Sequence, residues 1–418
     1  MSSHNRNPNG RNQHGEVLKA NDETLANALK QYHREDMSCN KKISQRLLAD
    51  YQITMGEWTV KRRRKELGLT GSGVTTKAMP RQEAKQLVVS QMDKDPNRRH
   101  GVRTIKHKVA FQNGVQLTRK FVSDIMHEHD SEGFQLREPT AKKIFRVEKI
   151  PYGIHNRWTG DGHDKLYKIG FPLWAVLDED TGKWLGAWVV PSNRMGEIIA
   201  YLFLCLVEKF EGVPLQFTTD CGSETTKLYG LCNALREMFH PDYNLRELPA
   251  HIYLRSIHNI VVERSWLRLR LDWGDNVVTF FNKGIEDGFY NPDDLNQYEL
   301  CQWLWPKLLR KDLQDMMDFR NSAPMRKNKH KKGPSGMSRN EAFSLYENWG
   351  GRNCLLPVDV AVIREIKEAM GGDALLDFVT PEFSQRAQAA YDTLNIVDLT
   401  LENVWHVFRA LHPLVFVE

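Results

Sequence analysis

"LQFTTDCGSE" (residues 215–224) is the stretch on which the reading of this chain turns. Four strand-forming residues, Gln216 to Thr219, stop on Asp220, and small residues lead from there into a helical segment. One reading makes Asp220 a turn residue, since Asp-Cys-Gly-Ser is good turn chemistry. The other makes it a carboxylate that the strand aims at a site. That second reading requires further acids from neighbouring elements.

The flanking sequence supplies them. From residue 157, "RWTGDGHDKL", "FPLWAVLDEDTG" and "KWLGAWVVPS" read as three strands, the last two joined by an Asp180-Thr181-Gly182 hairpin signal. A long apolar helix over 194–210 precedes the 215–219 strand. A helix over 225–239, a strand near 250–254 and a long helix from about 259 follow it. Three meandering strands and then alternating helix and strand predict an α/β domain: a mixed five-stranded sheet with helices on both faces. Numbering these strands one to five, the expected order across the sheet is 3-2-1-4-5, with the first three antiparallel.

Asp161 then lies within the first strand and Asp220 ends the fourth. In the helix "HNIVVERSWLRLRL" (258–271), Asn259, Glu263, Trp266 and Arg270 fall on one face, while Ile260, Leu267 and Leu271 share another. Taken alone, Glu263 reads as an exposed acid paired with a neighbouring arginine. Asp161, Asp220 and Glu263 brought together would repel unless divalent cations neutralised them. Mg²⁺ or Mn²⁺ prefers such oxygen ligands, and two ions can clamp an in-line phosphoryl transfer. Asp164 is the alternative first acid. Asp178 and Asp180 read as structural turn residues, and Glu224 as a helix-start acid.

A chain of 418 residues, 41% hydrophobic and 27% charged, predicts two or three domains. Its longest apolar run, 198–207, is too short to span a bilayer, and no membrane partner is expected. Six cysteines without a C-x-x-C pair argue against disulfide frameworks and thiolate zinc sites. Charge is uneven: residues 1–150 hold 29 Lys/Arg against 17 Asp/Glu, and the remainder 29 against 36. A basic module that binds polyanions, joined to a second domain, is the implied organisation.

Within the basic half, 1–40 reads as a polar tail and the start of a first helix. Residues 41–70 read as a helix–turn–helix unit, 71–80 as a linker of small residues, and 81–149 as a second small helical unit. Thr54-x-x-Glu57 is a capping box opening a helix loaded with Lys61, Arg62, Arg63, Arg64 and Lys65. This helix is either a DNA contact or a solvated basic run. Arg103 and Lys106 add cations on the second unit, so double-stranded DNA is the expected partner. After a core over 150–319, residues 320–345 read as a flexible basic loop free of acids between 320 and 340, and 346–418 as a helical region.

Three motifs in order resemble a known family. Trp158-Thr-Gly-Asp161-Gly-His-Asp-Lys165-Leu166, "TTDCGSE" (218–224) and "RSIHNIVVERSW" (255–266) resemble the three acid motifs of integrase core domains in transposable elements of eukaryotes. "HGVRTIKHKVAFQNGVQLTRKFVSDIMHEHD" (100–130) resembles the helical segment that precedes such cores in insertion-sequence transposases. The resemblance implies a ribonuclease H-like fold, metal-dependent DNA strand cleavage and transfer, and Asp161, Asp220 and Glu263 as the metal-binding triad. It also implies a homo-oligomer acting on element ends and target DNA. The expected location is the nucleus if the source is eukaryotic, and otherwise intracellular and soluble. The alternatives are a domesticated DNA-binding protein without turnover and a ribonuclease H-like nuclease.

Overall fold

A computed structural model describes residues 18–130, 150–164, 166–254 and 260–416. The chain divides into two compact units. Residues up to Met92 together with Gly101–Phe134 form the first, and Asp93–His100 with the chain from Gln135 onward form the second.

The first unit is helical: α1 Glu23–Arg34, α2 Asn40–Tyr51, α3 Glu57–Glu66, α4 Ser72–Ala78, α5 Arg81–Asp93, α6 Val102–Asn113 and α7 Arg119–His129. Leu25, Ala28, Leu29 and Tyr32 recur at helical spacing in α1 and pack with Ile43, Leu47 and Val60 from α2 and α3. A complete helix thus stands within 1–40, where a polar tail and only the start of a helix were expected, its apolar stripe diluted by the polar residues between. Residues 1–17 lie outside the described residues. The 71–80 linker also differs from expectation, because Ser72–Ala78 is helical, with Gly71 in extended conformation at its N-cap. A second cluster joins Val88, Ile105, Val109, Val122, Ile125 and Met126 from α5, α6 and α7. Gly114 ends α6 at φ 66°, a left-handed turn that glycine adopts without steric penalty.

The second unit is built on a five-stranded sheet: β1 Arg157–His163, β2 Leu173–Asp178, β3 Trp184–Val189, β4 Gln216–Asp220 and β5 His251–Leu254. Their order is β3-β2-β1-β4-β5, with β1, β2 and β3 antiparallel and β4 parallel to β1, as expected from the sequence; β5 runs parallel to β4. Alternation along β1 divides its residues between faces. Trp158 enters the core with Phe217 of β4, beneath α8 Gly196–Phe210 and α9 Thr226–Phe239. Gly160 follows on the same face, where a Cβ would stand 3.0 Å from the rings of Phe217 and Trp174. Only glycine lets those rings close over the strand.

The opposite face carries α10 Ile260–Leu269, which runs through a π-helical turn into α11 Asp275–Glu286. The 28-residue α12 Leu295–Ser322 follows, then α13 Arg339–Ser344, α14 Val360–Ala369, α15 Pro381–Thr393 and α16 Val404–Val415. The C-terminal helices belong to the same compact unit as the sheet. Trp405 of α16 donates its indole N–H to the Phe280 carbonyl at 2.9 Å and packs on Phe281 and Trp305. The basic 320–345 segment includes the end of α12 and all of α13. Between them a hairpin is closed by the Met325 N–H on the Met337 carbonyl at 2.8 Å, with Gly336 at φ 74°. Arg326, Lys327 and Lys329 are exposed on it.

The buried aspartates 178 and 180 are structural, as expected. Asp178 accepts the N–H groups of His155 and Thr181 and the Thr181 hydroxyl, and Asp180 accepts the N–H groups of Tyr152 and Gly153.

Candidate active site

Parallel pairing sets the strands of the first two acids side by side. Arg157 is opposite Gln216 and Thr159 opposite Thr218, where the pairing ends; Asp161 and Asp220 each lie two residues beyond it on their strands. Strand alternation puts both acids on the face of Thr159 and Thr218, near one end of the sheet.

Helix α10 covers that face. Its buried stripe is Val262, Ser265, Trp266 and Leu269. Leu267, which helical spacing sets on a different face from Trp266, is 49% exposed. Trp266 wins the inward position by its partners. Its indole N–H donates to Asp161 Oδ2 at 2.9 Å, its ring stacks on His163 at 4.6 Å between centroids, and Trp184 meets it edge-on at 5.3 Å. Glu263 sits one turn before Trp266 and is exposed. Asn259 and Lys165 lie outside the described residues.

Asp161 registers this company. Burial, the nearby Asp220 charge and the weaker influence of Glu263 push its carboxyl up to about 7, against the opposing hydrogen bond from Trp266. Asp161 thus feels the charge of both other acids. Among the described residues, however, no group of three His, Cys, Asp or Glu side chains is gathered tightly enough to hold a metal ion. Asp164, the alternative first acid, is exposed; it accepts a hydrogen bond from Asn193 at 2.8 Å and lies 3.7 Å from Arg194. Glu224 folds back over Gly222, in the 3₁₀ turn that opens α9.

The basic run of α3 divides between two faces. Arg63 is buried, donating to the Leu18 carbonyl at 2.9 Å and pairing with Glu66. Arg64 is buried too, donating to Asn40 Oδ1 at 2.8 Å and to the Ser38 carbonyl. These two arginines, expected as DNA contacts, instead bind α3 to the rest of its unit. Lys106 is engaged by Asp36. Lys61, Arg62, Lys65 and Arg103 are exposed.

Two participants were not singled out from the sequence as site residues, His163 and Trp58. His163 follows Asp161 by two residues, so strand alternation alone places it on the acid face. Trp58 stands three residues before Lys61 on α3 and is 75% exposed. No protein-family model matches the chain, and no curated protein is significantly similar to it in sequence. No helix among the described residues is long and apolar enough to cross a membrane.

Proposed function

We propose that this chain is a polynucleotidyl transferase of the integrase and transposase kind, with a ribonuclease H-like core acting on duplex DNA. The observation that carries the reading is the Trp266–Asp161 hydrogen bond. It holds the helix bearing Glu263 over the strand of Asp161, near enough for the charges of Glu263 and Asp220 to reach the Asp161 carboxyl. The strand order β3-β2-β1-β4-β5 is the one this fold implies.

The donor set fits Mg²⁺ or Mn²⁺. It consists of hard carboxylate oxygens, and the pKa of one of these carboxyls is pushed up to about 7 by burial and its neighbours' charges, which a bound cation would offset. Asp161, Asp220 and Glu263 would hold two ions, and Glu263, being exposed, has the freedom to complete the set. When bound, such a pair stabilises charge on the attacking and leaving oxygens of an in-line displacement. The protein's own part is positioning. Trp266 fixes the orientation of the Asp161 carboxylate, and its stack with His163 and its edge contact with Trp184 restrain the indole in turn. Joining two DNA ends to a target would call for a multimer of the chain.

The second reading, DNA binding without turnover, draws on the exposure of Glu263 and the absence of a tight three-acid group among the described residues. Strand cleavage and transfer by the purified full chain, with its element ends and Mn²⁺, separates the two. Asp220→Asn preserves shape and should abolish cleavage while leaving DNA binding intact. Cleavage undiminished in that variant would exclude the proposed site, and binding without any cleavage by the wild type would favour the second reading.

A further inference from the structure

We infer that the outward face of α3 reads duplex DNA through the major groove, with Trp58 as its base-edge contact and Lys61, Arg62 and Lys65 on the flanking phosphates. The inference rests on duplex DNA being the substrate, and on no property of the acid site.

Trp58, Lys61, Arg62 and Lys65 follow the spacing i, i+3, i+4, i+7, which places them on one stripe of the helix. All four are exposed, while Val60, Arg63 and Arg64 occupy the opposite, buried side. The bonds of Arg63 to Leu18 and Glu66 and of Arg64 to Asn40 and Ser38 fix the rotation of the helix, so the outward stripe is set by the fold. An indole 75% exposed on a short, firmly held helix leaves a large apolar surface in water. The Lys61 ammonium lies 5.2 Å from the ring centroid and covers it in part.

The chemistry of the stripe selects its partner. Its three charges are all positive, and among the described residues neither Lys61 nor Lys65 pairs with an acid. Arg62 makes only a long contact to Glu66 at 3.9 Å, with both side chains exposed. A stripe that combines an aromatic plate with three cations complements a polyanion that also presents apolar groups. In the major groove, thymine methyls are such groups, and the groove is about 12 Å wide, enough to admit a helix. Trp58 is the second residue of α3, and in helix–turn–helix docking the N-terminal residues of the second helix meet base edges. The exposed Glu57 stands at the edge of the stripe, where a carboxylate suits a cytosine amine better than a phosphate.

The test is selection of bound sequences from a random duplex pool by the full-length protein, by Trp58→Ala and by a Lys61→Ala/Arg62→Ala double variant. Thermal melts establish that each variant is folded. The wild type should enrich a sequence motif. Trp58→Ala should lose that enrichment while its affinity for the unselected pool changes by less than about threefold. The double variant should bind all duplexes more weakly, with the slope of log K against log salt reduced by about 2, roughly 0.9 per phosphate contact. Enrichment of the same motif by Trp58→Ala would overturn the inference, as would a wild type that enriches nothing or prefers single-stranded DNA or RNA. Cleavage assayed on the same preparations keeps the two proposals apart. Trp58-dependent selection without cleavage would leave this inference standing and remove the transferase.

Discussion

The indole of Trp266 donates to Oδ2 of Asp161 at 2.9 Å, joining residues 105 positions apart in the chain. Replacing this tryptophan with Phe removes the hydrogen bond and leaves an aromatic ring against His163. A hydrogen bond to a charged acceptor contributes about 1.5–3 kcal/mol. Loss of the donor should therefore raise the Asp161 pKa further above its position near 7. Metal-dependent cleavage should fall at least about tenfold on the same reasoning. Carboxyl NMR titration of both proteins and single-turnover cleavage are the measurements. An unmoved Asp161 titration would mean that the bond does not form in solution.

The same carboxyl makes stability depend on pH. Between its unfolded value of 3.8 and about 7, folded Asp161 keeps a proton that the unfolded chain has released. Its contribution to stability is fully present below the unfolded value and is lost as pH rises through about 7. Asp178 and Asp312, each pushed to about 6 chiefly by burial, act with the same sign. Metal-free protein should thus melt at a lower temperature at pH 8 than at pH 5. Asp161→Asn should reduce that difference, and Mg²⁺ should stabilise the wild type at pH 8 more than the variant. Identical pH profiles for wild type and variant would remove Asp161 from this role.

Arginines adjacent in sequence should behave as different kinds of residue. Removing the buried Arg63 or Arg64 leaves carbonyl and side-chain acceptors unpaired and should destabilise the first unit by about 1–3 kcal/mol. Arg62→Ala, at an exposed position, should stay within about 0.5 kcal/mol. Thermal melts of the full chain with the three single substitutions decide this. Equal losses for Arg62 and Arg64 would contradict the division of α3 into an inner and an outer face.

Gly160→Ala tests the close approach over β1. The added methyl meets Phe217 and Trp174 ring atoms at 3.0 Å, and overpacking of this kind typically costs about 1–3 kcal/mol. A matching loss of thermal stability, with the helical circular dichroism retained below the transition, is expected. A neutral substitution would show that the rings can retreat without loss.

The sheet was legible because its signals are local. Alternation in "RWTGDGH" and the apolar run of β2 each fix a strand, and the Asp180-Thr181-Gly182 turn joins β2 to β3. That Asp161 and Asp220 sit on neighbouring strands followed from strand order. The basic run 61–65 was misleading for a physical reason: charge says nothing about which way a guanidinium points when main-chain carbonyls and Asn40 can satisfy it inside. The helical period separated the Trp266 face of α10 from the Leu267 face without saying which turns inward; the partners of Trp266 decide that. The stripe Leu25, Ala28, Leu29, Tyr32 did carry a helical period, and it marks α1 once the polar residues between are set aside.

The central claim is that Asp161, Asp220 and Glu263 form one divalent-metal site. Anomalous diffraction from crystals soaked in Mn²⁺ tests it most directly. Two peaks about 3.5–4 Å apart, with ligands from all three carboxylates and none from Asp164, are the expected result. Crystals that take up Mn²⁺ only elsewhere, or that leave Glu263 in solvent while Asp161 and Asp220 stay unligated, would contradict it.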